Sequence, residues 1–430
     1  MKALLLLKGD YGWGGGLIAA NRLYSGLREA GVDARILCRD RNEEESISIP
    51  PSPRLESLIG RITQRIGLND VHCVSSFHIK KMEAFKEADV VDFHTIHHNF
   101  FSYLALPGLT KNKPAVFTLH DMWPFTGHCH ASRDCERWKT GCGRCPYLET
   151  EPAIRRDTSH LEWKLKDWTY RHSNLSIVAP STWLAGLAKQ SLLGRFPVYH
   201  IPYGIDTEIY RPYDPKECRS LLGIPPDKKV VFFVVDSLTR YLKGGDLLLR
   251  ALQSLPSSLK SKVVLMLLGK GGDRLAKNID LPVINLGYAD SDQLKAVFFS
   301  AADLFVHPTR ADNFPVVLLE SMACGTPVVS YRIGGVPDTV HPGVTGYLAE
   351  PENADDLAEG ILQLVEDDRL RESMGGRCRQ LAIEKYRLEL QVQRYITLYR
   401  QLARLPEPSG NPQSLLRQIY EVPTPNGNQS

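Results

Sequence analysis

Short apolar runs alternate with amphipathic helical stretches along this chain, and the alternation occurs twice. This pattern is typical of a parallel sheet, in which each strand is joined to the next by a helix that packs on the sheet. The strand candidates are KALLLLKG, DARILCRD, EADVVDFHTI, PAVFTLHD, LSIVAPS and VYHIPYG in the first half, and KVVFFVVDS, KVVLMLLG, PVINLGY, DLFVHP and TPVVSY in the second. We therefore predict two doubly wound α/β domains that face each other across a cleft.

The length of the chain agrees with two domains, because 430 residues are too many for one ordinary hydrophobic core. A connection rich in proline and charge, at 205–229, separates the halves. We predict an N-terminal domain at 1–206, a C-terminal domain at 207–385, and a helix at 386–405 that packs back on the N-terminal domain. The polar residues 406–430 are predicted to be a disordered tail.

The composition is that of a globular protein, with 43% hydrophobic residues, 23% charged residues and a net charge of +3. A weak positive balance without clustered Lys and Arg gives no reason to expect a nucleic-acid partner. The apolar start, MKALLLLKGD, is too short for a signal peptide or a membrane span and is interpreted as the first strand. The sequence therefore predicts a cytoplasmic protein, with the inner face of the membrane as a second possible location.

The segment RADNFPVVLLESMACGTPVVSY, at 310–331, lies between two strand candidates. Its middle predicts a helix near 315–324, with Asn313 as the N-cap and Pro315 at the first turn. Gly325 then follows the last helical residue. This is the strand, loop, helix and strand unit of a parallel sheet.

Two carboxylates lie in this unit, Asp312 in the loop and Glu320 little more than a turn into the helix. Ligands of such sheets bind beyond the carboxyl ends of the strands, and a helix N-terminus attracts phosphate. The spacing therefore suits a nucleoside diphosphate sugar, with the sugar near Asp312 and the ribose near Glu320. Two solvated surface charges would have the same spacing.

Four segments together resemble the retaining glycosyltransferases of family 4, which have the GT-B fold: GWGGG, TLHDMWPFTGHC, IPYGIDTEIYRP and DNFPVVLLESMACGTPVVSYRIGGVPD. The resemblance covers about residues 1–400 and is most specific at 303–350. It implies two Rossmann-like domains and transfer of a sugar from a nucleotide donor to an acceptor hydroxyl, with retention at the anomeric carbon. The expected setting is polysaccharide or glycoconjugate synthesis, with a UDP- or GDP-sugar as donor and a glycan or lipid-linked acceptor.

The resemblance implies roles for single residues. Asp312 would contact the donor sugar and Glu320 the ribose, although Asp312 stands where the family usually has the longer Glu. His120, which follows the apolar run AVFTL, would hydrogen-bond the donor sugar near its 6-position, where a structural histidine is the alternative. The donor site is also expected to include Asn313, Phe314 and Pro315.

The glycines of GWGGGLIAANRLYSGL form a strand-to-helix turn at Gly14, Gly15 and Gly16. Missing side chains there let backbone amides approach a diphosphate, although a tight turn or a dinucleotide fold would need the same residues. In the family this loop faces the donor phosphates, so we expect phosphate or acceptor contact. Three histidines of DFHTIHHNF could line the acceptor pocket or be satisfied by backbone groups: His94, His97 and His98.

The family neutralises the departing diphosphate with an Arg and a Lys. Lys243, in VDSLTRYLKGGDLLLRAL, matches the Lys, whereas Leu238 stands in place of the Arg. Arg240 could substitute for it from a shifted position, or be an exposed loop residue. Gly269 and Tyr288 would wall the nucleobase, or be plain turn residues.

Positive charge around the diphosphate makes a catalytic metal unnecessary. The Asp-x-Asp pattern of ADSDQL, at 289–294, precedes a helical run and is predicted to cap it rather than to bind a metal. The resemblance implies front-face attack by the acceptor hydroxyl, with a donor phosphate oxygen taking its proton.

The insertion at about 127–147 contains four cysteines, named here the cysteine cluster: Cys129, Cys135, Cys142 and Cys145. In a cytoplasmic chain such a cluster favours a metal over disulfides, and the spacing of CGRC suits zinc. We predict a structural zinc, with His128 and His130 as alternate ligands. A Cys129–Cys135 or Cys142–Cys145 disulfide, or free thiols, are the alternatives.

The segment TSHLEWKLKDWTYRH, at 158–172, has Leu161, Leu165 and Trp168 on one helical face. We predict that this face covers the N-terminal sheet. Docking on a membrane that carries a lipid-linked acceptor is the alternative.

Two other functions agree with much of the pattern. A sugar-nucleotide epimerase of GT-B fold would bind a similar donor without an acceptor. A non-catalytic sugar-nucleotide-binding protein would keep the glycines and lose the acid pair and Lys243, all of which are present.

Overall fold

The structure is a computed structural model that describes residues 1–10, 14–237, 240–406 and 420–421. The chain divides into two compact units. The first comprises Met1–Pro202 with the described residues from Gln391 on, and the second comprises Tyr203–Leu390.

The first unit is built on a parallel sheet in the order β3-β2-β1-β4-β5-β6-β7. The strands are β1 (Lys2–Leu6), β2 (Asp33–Cys38), β3 (Ile47–Ser48), β4 (Val90–His94), β5 (Ala115–Thr118), β6 (Ser176–Ala179) and β7 (Val198–His200). The helices of this unit are α1 (Gly15–Glu29), α2 (Pro53–Ile66), α3 (Glu83–Glu87), α4 (Leu106–Thr110), α5 (Ser159–Arg171) and α6 (Thr182–Lys189). The central strands are continuous apolar runs because helices cover both faces of a parallel sheet.

The second unit repeats this arrangement with a parallel sheet in the order β10-β9-β8-β11-β12-β13. The strands are β8 (Lys229–Ser237), β9 (Val263–Lys270), β10 (Val283–Asn285), β11 (Leu304–His307), β12 (Val328–Tyr331) and β13 (Gly346–Ala349). The helices are α7 (Pro215–Leu221), α8 (Gly245–Gln253), α9 (Ser257–Lys260), α10 (Gly272–Ala276), α11 (Asp292–Ala301), α12 (Val316–Ala323), α13 (Ala354–Glu366) and α14 (Asp368–Lys385). Both sheets therefore have the doubly wound order, which confirms the predicted fold class.

The end of the chain returns to the first unit. Helix α15 (Leu388–Ala403) belongs to that unit from Gln391 on, and β14 (Tyr420–Glu421) pairs antiparallel with β7. The disorder predicted for 406–430 falls mostly outside the described residues, and β14 is an ordered exception to it. Within the described ranges, none of the helices is long and apolar enough to cross a bilayer.

Two local predictions need correction, and a third is confirmed. The segment 205–229 is not a bare connection, because it contains α7 and the fully buried Tyr210. Helix α12 starts later than the predicted cap, with Pro315 rather than Asn313 at the N-cap position. Gly325 follows α12 with a positive φ of 75°, as expected for a residue that ends a helix.

The prediction for helix α5 is wrong in its orientation. Leu161 and Trp168 are exposed, whereas Glu162, Lys166 and Tyr170 are buried. Glu162 accepts hydrogen bonds from the Tyr103 hydroxyl at 2.5 Å and the Asn69 amide at 2.7 Å. The polar groups of the buried face of α5 are thus paired inside the unit, whereas Leu161 and Trp168 lie outside and Leu165 is half-buried against the core.

Candidate active site

The second sheet brings Lys243 and Asp312 together at its topological switch point. Strands β8 and β11 are neighbours, and the chain leaves their carboxyl ends toward opposite sides of the sheet. Lys243 follows β8 and Asp312 follows β11, and the Lys243 Nζ donates to Asp312 Oδ2 at 3.0 Å. The two predicted site residues, 69 positions apart, therefore form one ion pair.

The ion pair governs the charge state of Asp312. Burial alone would raise the pKa of this carboxyl, but the charge of Lys243 and the nearby His307 ring outweigh it and hold the pKa well below its usual range. His307 Nε2 lies 3.5 Å from Asp312 Oδ2, and burial lowers the pKa of that histidine. Asp312 is therefore ionised at neutral pH.

Arg310 fixes the two loops that carry this pair. Its guanidinium makes two hydrogen bonds of 2.7 Å to the Asp246 carboxylate and one of 2.8 Å to the Tyr241 carbonyl. Both partners belong to the β8–α8 region, whereas Arg310 belongs to the loop after β11. The sequence reasoning did not single out Arg310, although an arginine two residues before the first carboxylate is a visible signal.

Gly244 allows the two loops to approach. It has a φ of 70°, and a Cβ there would lie 1.8 Å from the Pro308 carbonyl oxygen. A larger residue would push Lys243 away from Asp312, so glycine is required by both conformation and space.

Helix α12 places Glu320 in its second turn, where the side chain is buried. The preceding Phe314 is also buried and packs against Tyr203 and Tyr386, with ring centroids 5.5 Å and 6.0 Å away. Phe314 therefore has a packing role, while Asn313 is half-buried in the same loop.

The remaining predicted donor residues of the second unit lie near strand ends. The Gly269 amide, near the end of β9, donates to the Gly287 carbonyl at 2.6 Å, and Tyr288 is 42% exposed. Arg240 is exposed, and Leu238 lies outside the described residues. Ser291 accepts from the Leu294 amide and caps α11, which confirms that the Asp-x-Asp segment starts a helix.

In the first unit, the glycine turn packs against His120. Gly14 has a φ of 109°, and a Cβ on Gly16 would lie 2.9 Å from the His120 Cβ. The turn after β1 and the residue after β5 are thus in contact, and glycine at 16 is what permits it.

A chain of polar side chains leads from His120 into the sheet. His120 Nε2 lies 2.9 Å from His94 Nδ1, and His94 Nε2 lies 3.3 Å from Asp92 Oδ2. The buried Asp92 also accepts hydrogen bonds from Thr118 at 2.9 Å and from Tyr399 of α15 at 2.6 Å. Burial lowers the pKa of His120 well below its usual range, so His120 is neutral at physiological pH.

The buried Asp92 anchors this row of side chains, because it accepts from two hydroxyl groups and lies beside His94. Sequence reasoning missed Asp92, although an acidic residue inside the apolar run VVDFH was a signal.

The other histidines of this region have separate partners. His97 Nε2 lies 2.8 Å from Asp121 Oδ2, and both residues are held after the ends of β4 and β5. His98 has a φ of 63°, and burial lowers its pKa to about 3.

The cysteine cluster consists of free thiols in the structure. The Gly127 amide donates to Cys142 Sγ at 3.2 Å, and His128 Nε2 lies 3.3 Å from Cys145 Sγ. Among the residues that the structure describes, no group of three or more His, Cys, Asp or Glu side chains is arranged to hold a metal ion. The zinc site therefore has no support from the geometry and stays a prediction.

Two family models match the chain. The model described as Glycosyltransferase Family 4 matches residues 13–209, and the model described as Glycosyl transferases group 1 matches residues 219–381. The two matches correspond closely to the two units.

Curated relatives agree with these models. The N-acetyl-alpha-D-glucosaminyl L-malate synthase of Bacillus anthracis is 30% identical over 207 residues, which are 46% of this chain and 52% of the relative. The D-inositol 3-phosphate glycosyltransferase of Mycobacterium marinum is 35% identical over 182 residues, 40% of this chain and 37% of the relative. The chain thus spans about half the length, or less, of the curated relatives it matches.

Solved structures resemble almost the whole chain. Sucrose-phosphate synthase from Thermosynechococcus elongatus has a TM-score of 0.69 at 19% identity and covers 93% of this chain and 98% of its own. HepE of Anabaena, solved with UDP and glucose, has a TM-score of 0.65 at 18% identity, with coverage of 93% and 99%. At this identity the likeness shows the fold, which is GT-B. With both family models matched and this fold, the chain belongs to the family 4 glycosyltransferases of group 1.

Proposed function

We propose that this protein is a retaining glycosyltransferase that moves a sugar from a nucleoside diphosphate sugar to an acceptor hydroxyl. The observation that carries the proposal is the Lys243–Asp312 ion pair at the switch point of the second sheet. That position is where doubly wound sheets bind nucleotides. The family match supports sugar transfer as the reaction that this ion pair serves. Synthesis of a polysaccharide or glycoconjugate, on a glycan or lipid-linked acceptor, is the setting that the proposal implies.

The two residues of the ion pair, together with Glu320 and His120, have proposed roles in the reaction. Lys243 neutralises the departing diphosphate, whose charge grows as the bond to the anomeric carbon breaks. Asp312 accepts hydrogen bonds from the donor sugar, and Glu320 accepts them from the ribose. His120 hydrogen-bonds the donor sugar near its 6-position.

The proposed reaction is a front-face substitution. The acceptor oxygen forms a bond to the anomeric carbon, the bond from that carbon to the phosphate oxygen breaks, and the acceptor proton passes to a donor phosphate oxygen. Asp312 is engaged by Lys243 and His307, which favours a binding role over that of a covalent nucleophile. Because Lys243 and the N-terminus of α12 supply positive charge, we propose that the reaction needs no catalytic metal.

UDP-sugars are the first donors to test, because HepE, which has a similar fold, was solved with UDP. The purified chain is incubated with UDP-glucose, UDP-N-acetylglucosamine or GDP-mannose, and nucleotide release is measured with simple sugar acceptors and with excess chelator. We expect nucleotide release with one of these donors and a product whose anomeric configuration matches that donor. The rate of release should not fall when chelator is added. An epimerised donor without transfer would establish the epimerase alternative, and tight nucleotide binding without any turnover would establish a binding protein.

Two further proposals concern the cysteine cluster and the location of the protein. The cysteine cluster is proposed to hold one structural zinc, supported by four free thiols within one short insertion. A cytoplasmic location is proposed, and peripheral membrane contact is proposed from the exposed Leu161 and Trp168 of α5.

A further inference from the structure

Helix α2 carries an apolar stripe on its outer face. Leu55 is 50% exposed, Leu58 52%, Ile62 58% and Ile66 42%. The spacing of three, four and four residues places these side chains in one row along the helix. Single exposed apolar residues are ordinary, but a continuous row of four large aliphatic side chains marks an interaction surface.

The buried face of α2 fixes this orientation. Gly60 packs against the ring of His72, and a Cβ there would lie 3.2 Å from His72 Cδ2. Thr63 is buried and donates to the Gly60 carbonyl at 3.3 Å. Small and polar residues thus face the unit, which is the reverse of a helix that covers a core. The fold itself therefore holds the apolar row outward.

The charges of α2 are separated in the same way. Its acidic residue, Glu56, is buried and accepts from Arg39 and from the Ser75 amide, both at 2.9 Å. Arg54, Arg61 and Arg65 are exposed. The outer face of α2 therefore presents aliphatic side chains flanked only by positive charge.

The surface continues toward α5. Gly67, the residue after α2, accepts a hydrogen bond of 2.7 Å from the Thr158 hydroxyl, and α5 begins at the next residue. Leu161, Lys164 and Trp168 of α5 are exposed. Two adjoining helices of one unit thus expose large apolar residues together with basic ones.

We propose that α2 is a membrane-docking helix that inserts its apolar row between the headgroups of an anionic lipid surface. An amphipathic helix with aliphatic side chains and flanking arginines matches such an interface, where the arginines meet lipid phosphates. Pairing of two copies through the same face would bring the arginines of both together, and this repulsion favours the lipid over a second copy. The inference does not depend on the proposed reaction, because docking needs neither donor nor acceptor.

The test is co-sedimentation of the full chain with vesicles of phosphatidylcholine, with and without phosphatidylglycerol. We expect binding to the anionic vesicles only, and weaker binding as salt is raised, because arginine–phosphate attraction is screened. Exchanging both Arg61→Glu and Arg65→Glu, or both Leu58→Ser and Ile62→Ser, should lower the partition coefficient about tenfold or more. The control is Leu221→Ser, since Leu221 on α7 is 78% exposed and lies in the other unit.

Three outcomes would overturn the proposal. The first is equal sedimentation with neutral and anionic vesicles, or none with either, which would leave a protein partner for this face. The second is an equal loss of binding for Leu221→Ser. The third is a concentration-dependent dimer, seen by light scattering, that Leu58→Ser abolishes while vesicle binding is unchanged. The charge-reversal variant alters exposed side chains only, so it remains informative if the serine variant folds poorly.

Discussion

Replacing Lys243 by Met removes the positive charge of the ion pair and keeps most of the apolar stem. In the structure the Nζ to Oδ2 distance is 3.0 Å, and the two side chains are 28% and 17% exposed for Lys243 and Asp312. At an effective dielectric constant near 20, two charges at this distance attract by about 5 kcal/mol before desolvation is subtracted. The variant leaves Asp312 as a partly buried carboxylate without its ammonium partner.

The net cost lies between two known limits. Fully exposed pairs contribute about 0 to 1 kcal/mol, and breaking a buried pair costs about 3 to 5 kcal/mol. With both side chains mostly but not fully buried, we expect Lys243→Met to lower the free energy of unfolding by about 1 to 3 kcal/mol. Asp312→Asn should cost less, because the long side chain of Lys243 can turn toward water.

The effect on catalysis is larger than the effect on folding. Loss of one preorganised charge at the leaving group typically lowers kcat by about 10² to 10³. The donor KM should change little, since charge on the diphosphate grows mainly toward the transition state.

The ion pair also links stability to pH. Because the pKa of Asp312 is depressed in the folded state, the ionised carboxylate stabilises the fold at pH values above its unfolded pKa of about 3.9. This stabilisation is lost as the pH falls through the folded pKa. In Lys243→Met the folded pKa of Asp312 rises toward or above the unfolded value, so the loss of stability in acid that comes from this carboxyl should shrink or reverse.

The assay is urea unfolding of the wild type, both single variants and the double variant, with donor turnover measured on each. The double-mutant cycle isolates the interaction of the two residues. A coupling energy within about 0.5 kcal/mol of zero would refute the pairing. Unchanged kcat with a raised KM would refute the proposed role of Lys243 at the transition state.

Glu320→Gln should weaken UDP binding by about 1.5 to 3 kcal/mol in calorimetry, because a ribose hydroxyl would lose a charged acceptor, and unchanged affinity would remove the ribose role. Asp92→Asn should lower kcat at least about tenfold without changing UDP affinity, because the side-chain contacts that hold His94 and His120 in place are disturbed; a change in thermal stability alone would mean a structural role. Burial lowers the pKa of His98 to about 3, so the unfolded state takes up a proton before the folded state does. The free energy of unfolding should therefore fall as the pH drops below 6.5, by up to about 1.4 kcal/mol per pH unit. His98→Asn should reduce that slope, as Asn also tolerates a positive φ, and substitution of an exposed histidine should not. Elemental analysis should find about one zinc per chain on the cysteine cluster, and a reduced, active, metal-free protein would exclude it.

The sequence alone predicted most strands of both sheets, although β3, β13 and β14 were not among them. Each of the eleven predicted strand segments contains a strand, because apolar runs bounded by turn residues suit strands covered on both faces. Pro315 and Gly325 marked the two ends of α12, and Ser291 marked the start of α11, since caps are local chemistry. The family resemblance then indicated which carboxylates and which lysine to examine.

Tertiary structure decided which residues meet. The pairing of Lys243 with Asp312 depends on β8 and β11 being neighbours, and no local pattern states the order of strands in a sheet. The contact of Asp92 with Tyr399 spans 307 positions and exists only because α15 returns to the first unit. Such contacts arise from the crossing of the chain over the sheet, so they cannot be obtained from a window of sequence.

The orientation of the amphipathic helices was also beyond the sequence. Periodicity shows that α2 and α5 each have an apolar face, and the usual inference is that this face covers a core. The structure instead buries Glu56 and Glu162, because each finds hydrogen-bond donors on neighbouring segments of the first unit. Hydrogen-bond partners from distant positions made it favourable to bury these carboxylates, and most of the large apolar side chains on the opposite faces remained exposed.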